Sequence, residues 1–277
     1  MNLFLDIVTT ASMLFIVTAG LMVIFGVMKI VNFAHGALLT LGAYASLVVT
    51  QLKLSPWLGV PLAIVVGVTV GMLIERLIVR PLYKRPLDAI LATWGLGIVV
   101  GQLIVFAFGR EVQFVEAPIK GAYSVGGTSY SAYRLVLVPV AILMGVALTG
   151  LLSGTRFGIK TRAVIMNEEL ASGLGINSGR IRFLTFSLGA GLATAAGTLI
   201  TPLSSVDPAM GLPWLISAFM LVMVSGYSMI SLMITCLVFG TCQVLASTYA
   251  SPVLGGLTIS VLAALTLRIR PKGFSRG

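Results

Sequence analysis

One histidine (His35), two cysteines (Cys236 and Cys242) and eight carboxylates are the groups in this chain suited to proton transfer, metal ligation or nucleophilic attack. A lone histidine leaves no His-rich metal site and no second imidazole to pair with. The acids are Asp6, Glu75, Asp88, Glu111, Glu116, Glu168, Glu169 and Asp207, and all fall at the ends of apolar stretches or between them. The six-residue spacing of the cysteines suits neither a metal site nor an evident bridge, so they read as small buried apolar residues. The segment Gly154-Thr-Arg-Phe-Gly158-Ile-Lys160-Thr161 is only superficially a phosphate loop. That pattern needs four residues between its glycines and lysine directly after the second; here there are three, and Ile159 intervenes. The expectation is therefore no catalytic residue, no metal and no cofactor bound by this chain.

The elements that hold these residues are apolar. Hydrophobic residues make up 58% of the 277 and charged residues 9%, with a mean hydropathy of +1.07. A soluble domain of this size needs far more charge on its surface. Crossing a hydrocarbon core takes about 20 mostly apolar residues. Such stretches run over 7–28, 36–52, 57–78, 89–108, 135–152, 183–203, 213–224, 229–246 and 252–267. The chain is predicted to be an all-α polytopic integral membrane protein with eight or nine transmembrane helices in a single domain, 1–277. The seventh stretch is short and bounded by Pro208, Pro213 and Gly226, so a tilted, broken or re-entrant segment is expected there. The second, entered through Asn32-Phe-Ala-His-Gly36, carries the same ambiguity. With no basic residues before its first apolar stretch, the N-terminus reads as a membrane segment, not a signal peptide.

Basic residues set the expected orientation. Thirteen of the eighteen fall in three clusters: Arg76, Arg80, Lys84 and Arg85; Arg156, Lys160, Arg162, Arg180 and Arg182; Arg268, Arg270, Lys272 and Arg276. Lys29 joins that side, and the other holds only Lys53, Arg110, Lys120 and Arg134. The positive-inside rule puts the clusters in the cytoplasm, the N-terminus outside and the C-terminus inside. Orientation accounts for the net charge of +10; lipid is the expected surroundings and nucleic acid is not an expected partner. Ion-driven carriers usually hold an ionisable group near the midplane. None is evident, which disfavours a self-driven carrier.

The longest cytoplasmic loop, 155–182, is where a partner is expected. Ile165, Leu170, Ala171 and Leu174 suggest one apolar face of a short helix, with Asn167 or Thr161 as its N-cap and Gly173 or Gly175 at its end. Glu168 and Glu169 would lie in its first turn, favoured by the helix dipole. Read from these residues alone, an interfacial helix lying on the bilayer fits equally well.

Glu169-Leu-Ala171, three residues, then Gly175 resembles the Glu-Ala-Ala…Gly loop of bacterial ATP-binding-cassette importer permeases, without the Ile-x-Leu-Pro that often follows. Asn32-Phe-Ala-His-Gly36 with Gly42-Ala-Tyr44, Glu75-Arg76 with Arg80-Pro-Leu82, Thr155-Arg-Phe-Gly158 into Arg162-Ala163, Leu174-Gly-Ile176 and Arg270-Pro-Lys-Gly273 are similar, in order and over almost the whole chain, to the branched-chain amino-acid branch of that family, the LivH type. Leu91-Ala-Thr-Trp-Gly-Leu96, Val206-Asp-Pro208 with Gly211 and Phe219-Met220, and Pro252-Val-Leu-Gly255 look more like the urea and short-amide permeases, the UrtB type. One departure stands out. The family usually shows Gly-Gly-x-Gly with a further glycine four residues on; here Ser225-Gly226-Tyr227-Ser228 and Leu232 occupy those places.

The resemblance implies a non-catalytic permease subunit in the bacterial inner membrane. Its implied partners are a second permease, homomeric or heteromeric, two cytoplasmic ATPase subunits that bind the ATP and magnesium, and an extracytoplasmic solute-binding protein. The ATPase-docking loop would comprise Asn167, Glu168, Glu169, Ala171, Gly173 and Gly175. The cargo is a small nitrogen-containing solute, branched-chain amino acids or urea-like amides, with an ATPase-independent carrier or a channel as the alternatives.

Several residues carry two readings. Asn32, His35 and Gly36 could line a helix break on the pathway, or form a structural cap near Lys29 and the water boundary; the cap is preferred. Thr93 and Gly95, beside Trp94, suit packing better than solute contact. Gly67-x-x-x-Gly71 and Gly189-x-x-x-Ala193-x-x-x-Gly197 permit close helix approach, internally or against a partner. Glu75 with Arg76 and Arg80 reads as an interfacial ion pair.

Overall fold

The computed structural model describes residues 2–28, 30–125, 128–271 and 273–274; the orientation arguments resting on Lys29, Lys272 and Arg276 lie outside the described residues. Each of the nine apolar stretches is a helix: α1 Asn2–Met28, α2 His35–Gln51, α3 Gly59–Ile74, α4 Pro86–Phe108, α5 Ala132–Gly154, α8 Ser178–Ile200, α9 Gly211–Ser225, α10 Met229–Tyr249 and α11 Pro252–Ile269. The loop between α5 and α8 adds α6 Arg156–Met166 and α7 Glu168–Gly173. Among the described residues, seven helices are long and apolar enough to cross a membrane. The chain is an all-α, multi-pass membrane protein. Helix α3 has 16 residues but continues through flanking turns as a 27-residue run, Pro56–Leu82, so α2 and α9, at 17 and 15 residues, are the short members.

The core is built around α1 and α8. The most apolar window of α1 is 94% buried, whereas those of α4 and α11 are 17% buried and face outward. Small residues bring α8 against its neighbours. A Cβ on Gly67 or Gly71 of α3 would meet Thr194 or Ala190 of α8, one on Gly189 would strike Ile24 and Gly20 of α1, and one on Gly197 would strike the Leu39 carbonyl of α2. The small-residue stripes therefore serve internal packing. Thr194 and Thr198 add hydrogen bonds across the same seams, donating to the carbonyls of Ala63 (2.7 Å) and Gly42 (2.7 Å).

The two ends of the bundle differ. At one end Tyr130 donates to Asp6 Oδ1 at 3.0 Å, Arg134 pairs with Asp6 at 3.4 Å, and Gln113 bridges to Val206. Two antiparallel strands, β1 Ala122–Val125 and β2 Thr128–Ser131, lie there with Val125 opposite Thr128. At the other end Val27, Val164, Ala171 and Ile181 share a small core, and Phe274 N donates to the Val224 carbonyl at 2.8 Å.

The serine and leucine substitutions in the glycine-rich stretch are accommodated locally. Gly226, at φ +70°, ends α9. Ser228 caps α10 by accepting from Ser231 N, Leu232 is fully buried in the main core, and Phe25 stacks on Tyr227 with ring centroids 6.0 Å apart.

Candidate functional site

The loop expected to meet a partner is two helices, not one. Thr155 starts α6, its hydroxyl accepting from Gly158 N at 3.1 Å. Asn167 breaks the run and caps α7, accepting from Leu170 N at 3.0 Å, whereas Thr161 is a buried interior residue of α6. Helix α7 ends at Gly173, and Gly175 turns the chain at φ +81°. Glu168 and Glu169 occupy the first turn. The expected single apolar face does not form. Ala171 is buried against Val27, Val164 and Ile181, while Leu170 and Leu174 are 63% and 74% exposed and Met166 is 85% exposed. Six residues cannot bury both sides, so the smallest apolar residue goes inward and the larger ones face out.

The second site is a cavity of about 310 Å³ between α2, α4 and the start of α9. Its wall includes Phe33, Gly36, Thr40, Trp94, Gln102 and Pro208, and no lining side chain is charged. How α2 begins explains its position. His35 is fully buried and its Nε2 lies 3.0 Å from the carbonyl of Val17, near the middle of α1. The expectation that His35 caps α2 at the water boundary is thus corrected: α2 starts level with the middle of α1. Asn32 shapes the turn, accepting from Ala34 N at 3.1 Å, and among the described residues its buried Nδ2 has no partner. Thr93 receives the Phe33 amide at 3.2 Å and donates to Ile90, and Phe33 meets Trp94 edge-on at 5.3 Å.

Helix α9 starts at the same place. A Cβ on Gly211 would lie 1.9 Å from the Gly36 carbonyl, and Gly211 N donates to Thr40 Oγ1 at 3.2 Å. Two short helices therefore begin side by side at the cavity wall and run in opposite directions. In α2 the first helical bond is made by Leu38 N to Ala34, leaving the amides of Gly36 and Ala37 ahead of it. Such amides, with the helix dipole, attract negative charge.

Of the residues singled out in sequence, Gly36 lines the cavity, Thr93 and Asn32 hold the Phe33 turn, and His35 anchors that turn to α1. Gly95 is not part of the wall, and a Cβ added there would meet nothing within 4 Å. Thr40 and Gln102 escape a reading of the sequence, because an isolated polar residue in an apolar helix gives no sign of which face it takes. Glu75 departs from expectation. It is fully buried and receives a hydrogen bond from Tyr83, and among the described residues its Oε2 has no partner; Arg76 and Arg80 are exposed and do not pair with it. Burial, then the Glu75 hydrogen bond, pushes the Tyr83 hydroxyl well above the ordinary tyrosine range.

Residues 3–267 match the family model described as "Branched-chain amino acid transport system / permease component". The chain belongs to this permease family. It is 29% identical to the high-affinity branched-chain amino acid transport system permease protein LivH of Escherichia coli (strain K12), over 96% of this chain and 92% of that one. Pseudomonas aeruginosa BraD, a permease protein of a high-affinity branched-chain amino acid transport system, is 27% identical over 96% of this chain and 92% of its own length. A structural likeness exists to PsaBC from Streptococcus pneumoniae in complex with Fab, at TM-score 0.53 and 13% identity, covering 98% of this chain and 93% of that one. That likeness speaks to fold alone. As a permease component, the chain is a non-catalytic membrane subunit of a transport system.

Proposed function

We propose that this permease is the membrane subunit of an ATP-binding-cassette importer that carries branched-chain amino acids across the bacterial inner membrane. Its N-terminus is outside and its basic end is in the cytoplasm. The observation that carries the reading is the start of α2, whose Gly36 and Ala37 amides stand ahead of its first helical bond at a cavity with no charged residue among its described lining. At the start of α9 the amides are already engaged, Gly211 N by Thr40 and Leu212 N by the Ala209 carbonyl. An amino acid presents a carboxylate, which free amides at a helix N-terminus stabilise, and a branched apolar side chain, which Phe33, Leu212 and Leu215 accommodate. The exposed Leu170, Leu174 and Met166 on the basic side support docking of an ATPase subunit, with ATP and magnesium held by that partner. A second permease and an extracytoplasmic binding protein complete the assembly.

A specific observation favours urea-like amides as the second reading. Thr40 and Gln102 are uncharged hydrogen-bonding groups, and a neutral amide needs no charged partner. Uptake into proteoliposomes containing the full complex separates the two. ATP-dependent accumulation of leucine, uncompeted by excess urea, is the expected result, and accumulation of urea alone overturns the amino-acid reading. Leu170→Glu with Leu174→Glu should abolish co-purification of the ATPases. If the wild-type chain transports with no ATPase present, the importer reading fails.

A further inference from the structure

One arginine stands between two acids on different parts of the chain. Arg182, in the first turns of α8, forms an ion pair with Glu168, the first residue of α7. The same guanidinium lies 4.4 Å from the centre of the Tyr83 ring. On that ring the hydroxyl donates to Glu75 Oε1. The guanidinium and the buried carboxylate are thus held one phenol ring apart.

This arrangement is incompletely satisfied. Glu75 is fully buried, yet among the described residues only one of its oxygens has a partner. The Arg182 Nε is likewise buried and unpartnered. A buried carboxylate with an empty oxygen and a buried guanidinium nitrogen with no acceptor each carry a desolvation cost that a direct pair would relieve. Glu168 is the more exposed competitor, its side chain 41% accessible. The backbone around Glu75 is also irregular. It opens a π-helical turn, Glu75–Val79, followed by a 3₁₀ turn, Arg80–Leu82, leading to Tyr83 and then to α4 at Pro86. Helix α4 supplies Trp94, Gly97 and Gly101 to the cavity wall.

We infer that Arg182 is the positioning residue that transmits movement of α7 to α4, by exchanging Glu168 for Glu75. In the arrangement described, α7 holds the arginine through Glu168. When the partner draws α7 away, Arg182 keeps its seat on Tyr83 and turns to the unpartnered Glu75 oxygen. Tyr83 then yields its hydrogen bond, and the 3₁₀ turn that leads into α4 shifts with it. Two discrete pairings of one cation give the bistable element that such transmission requires. This inference rests on the importer reading above.

The test uses the whole complex in proteoliposomes, with ATPase co-purification, ATP hydrolysis and solute accumulated per ATP measured separately. The variants are Glu75→Gln, Tyr83→Phe and Arg182→Lys. Glu75→Gln and Tyr83→Phe are close in shape to the native residues and should assemble and hydrolyse ATP as wild type does. Solute accumulated per ATP should fall by about fivefold or more, the scale of a modest coupling free energy. Arg182→Lys, which retains charge but loses the planar stack, should do the same. Unchanged solute per ATP in Glu75→Gln and Tyr83→Phe, with wild type active, overturns the exchange and leaves the importer reading standing. Parallel loss of assembly, hydrolysis and transport in both variants shows a structural role and overturns it too. A wild-type complex that transports without ATPase removes both proposals together.

Discussion

Gly211→Ala tests whether the touching starts of α2 and α9 are needed for the cavity. The added Cβ would sit 1.9 Å from the Gly36 carbonyl and 2.7 Å from Thr40 Oγ1, where ordinary contact begins at 3.4 Å. The helices must separate by roughly 1.5 Å, since the obstacle is backbone and cannot rotate away. Overpacking of this kind costs about 1–3 kcal/mol. The Gly211 N to Thr40 bond, already 3.2 Å long, is lost as well, adding about 1 kcal/mol. The sum, about 2–4 kcal/mol, exceeds a tenfold change in an equilibrium constant. Gly95→Ala is the control: nothing lies within 4 Å of its Cβ position, and alanine improves helix propensity by up to about 1 kcal/mol. Thermal unfolding of the purified protein in detergent and solute uptake by the complex should both fall for Gly211→Ala and hold for Gly95→Ala. Equal unfolding temperature and uptake for Gly211→Ala and wild type would refute the close-contact argument.

Asn167→Ala removes the α7 cap and should destabilise that short helix by about 0.5–2 kcal/mol, read as weaker ATPase association at unchanged unfolding temperature of the bundle. Thr40→Val removes the acceptor for Gly211 N while keeping shape, and should cost about 1–3 kcal/mol because a buried amide is left unpaired; Thr40→Ser should restore both stability and uptake. Glu116 has its carboxyl held below the usual range by the Lys120 hydrogen bond and charge. Any stability this gives is present above the ordinary glutamate pKa and is lost as pH falls through the lowered one. The pair is exposed, so Lys120→Ala should leave the unfolding temperature at neutral pH unchanged.

The helices are legible in the sequence because length and apolarity dominate their formation. Where α2 begins in depth is not, because it depends on His35 reaching Val17, a contact no local pattern encodes. The Gly67 and Gly189 stripes announce close approach without naming the neighbour; three-dimensional packing supplies α8 and α1. Glu75 is misread because Arg76 and Arg80 stand one and five residues after it, neither at the three- or four-residue spacing that faces it on a helix. Its partner Tyr83 is eight residues on and is reached only through the π and 3₁₀ turns that follow. The paired strands Ala122–Val125 and Thr128–Ser131 do have a signal in sequence, Tyr, Ser, Val and Thr residues on either side of Gly126-Gly127. It is easily passed over, because the apolar helices on either side set the expectation. In the cytoplasmic loop the cap and first-turn acids follow from residue type, but the outward turn of Leu170 and Leu174 does not, because only the receiving core decides which apolar residue it takes.

The burial of α1 bears on how the protein is made. Helix α1 leaves the ribosome before α8 and α10, the helices that come to cover it, and it finishes at the centre with 94% of its most apolar window covered. Until α8 and α10 arrive it has lipid in place of those neighbours. Its mean window hydropathy of 2.3 and the absence of charge from its middle let it persist there unaided. Assembly is then a replacement of acyl chains by Gly189, Ala193 and their neighbours, with packing and not water exclusion as its driving force. A bulky residue at Gly20 would thus leave membrane insertion intact and halt maturation at the later step, when α8 closes over α1.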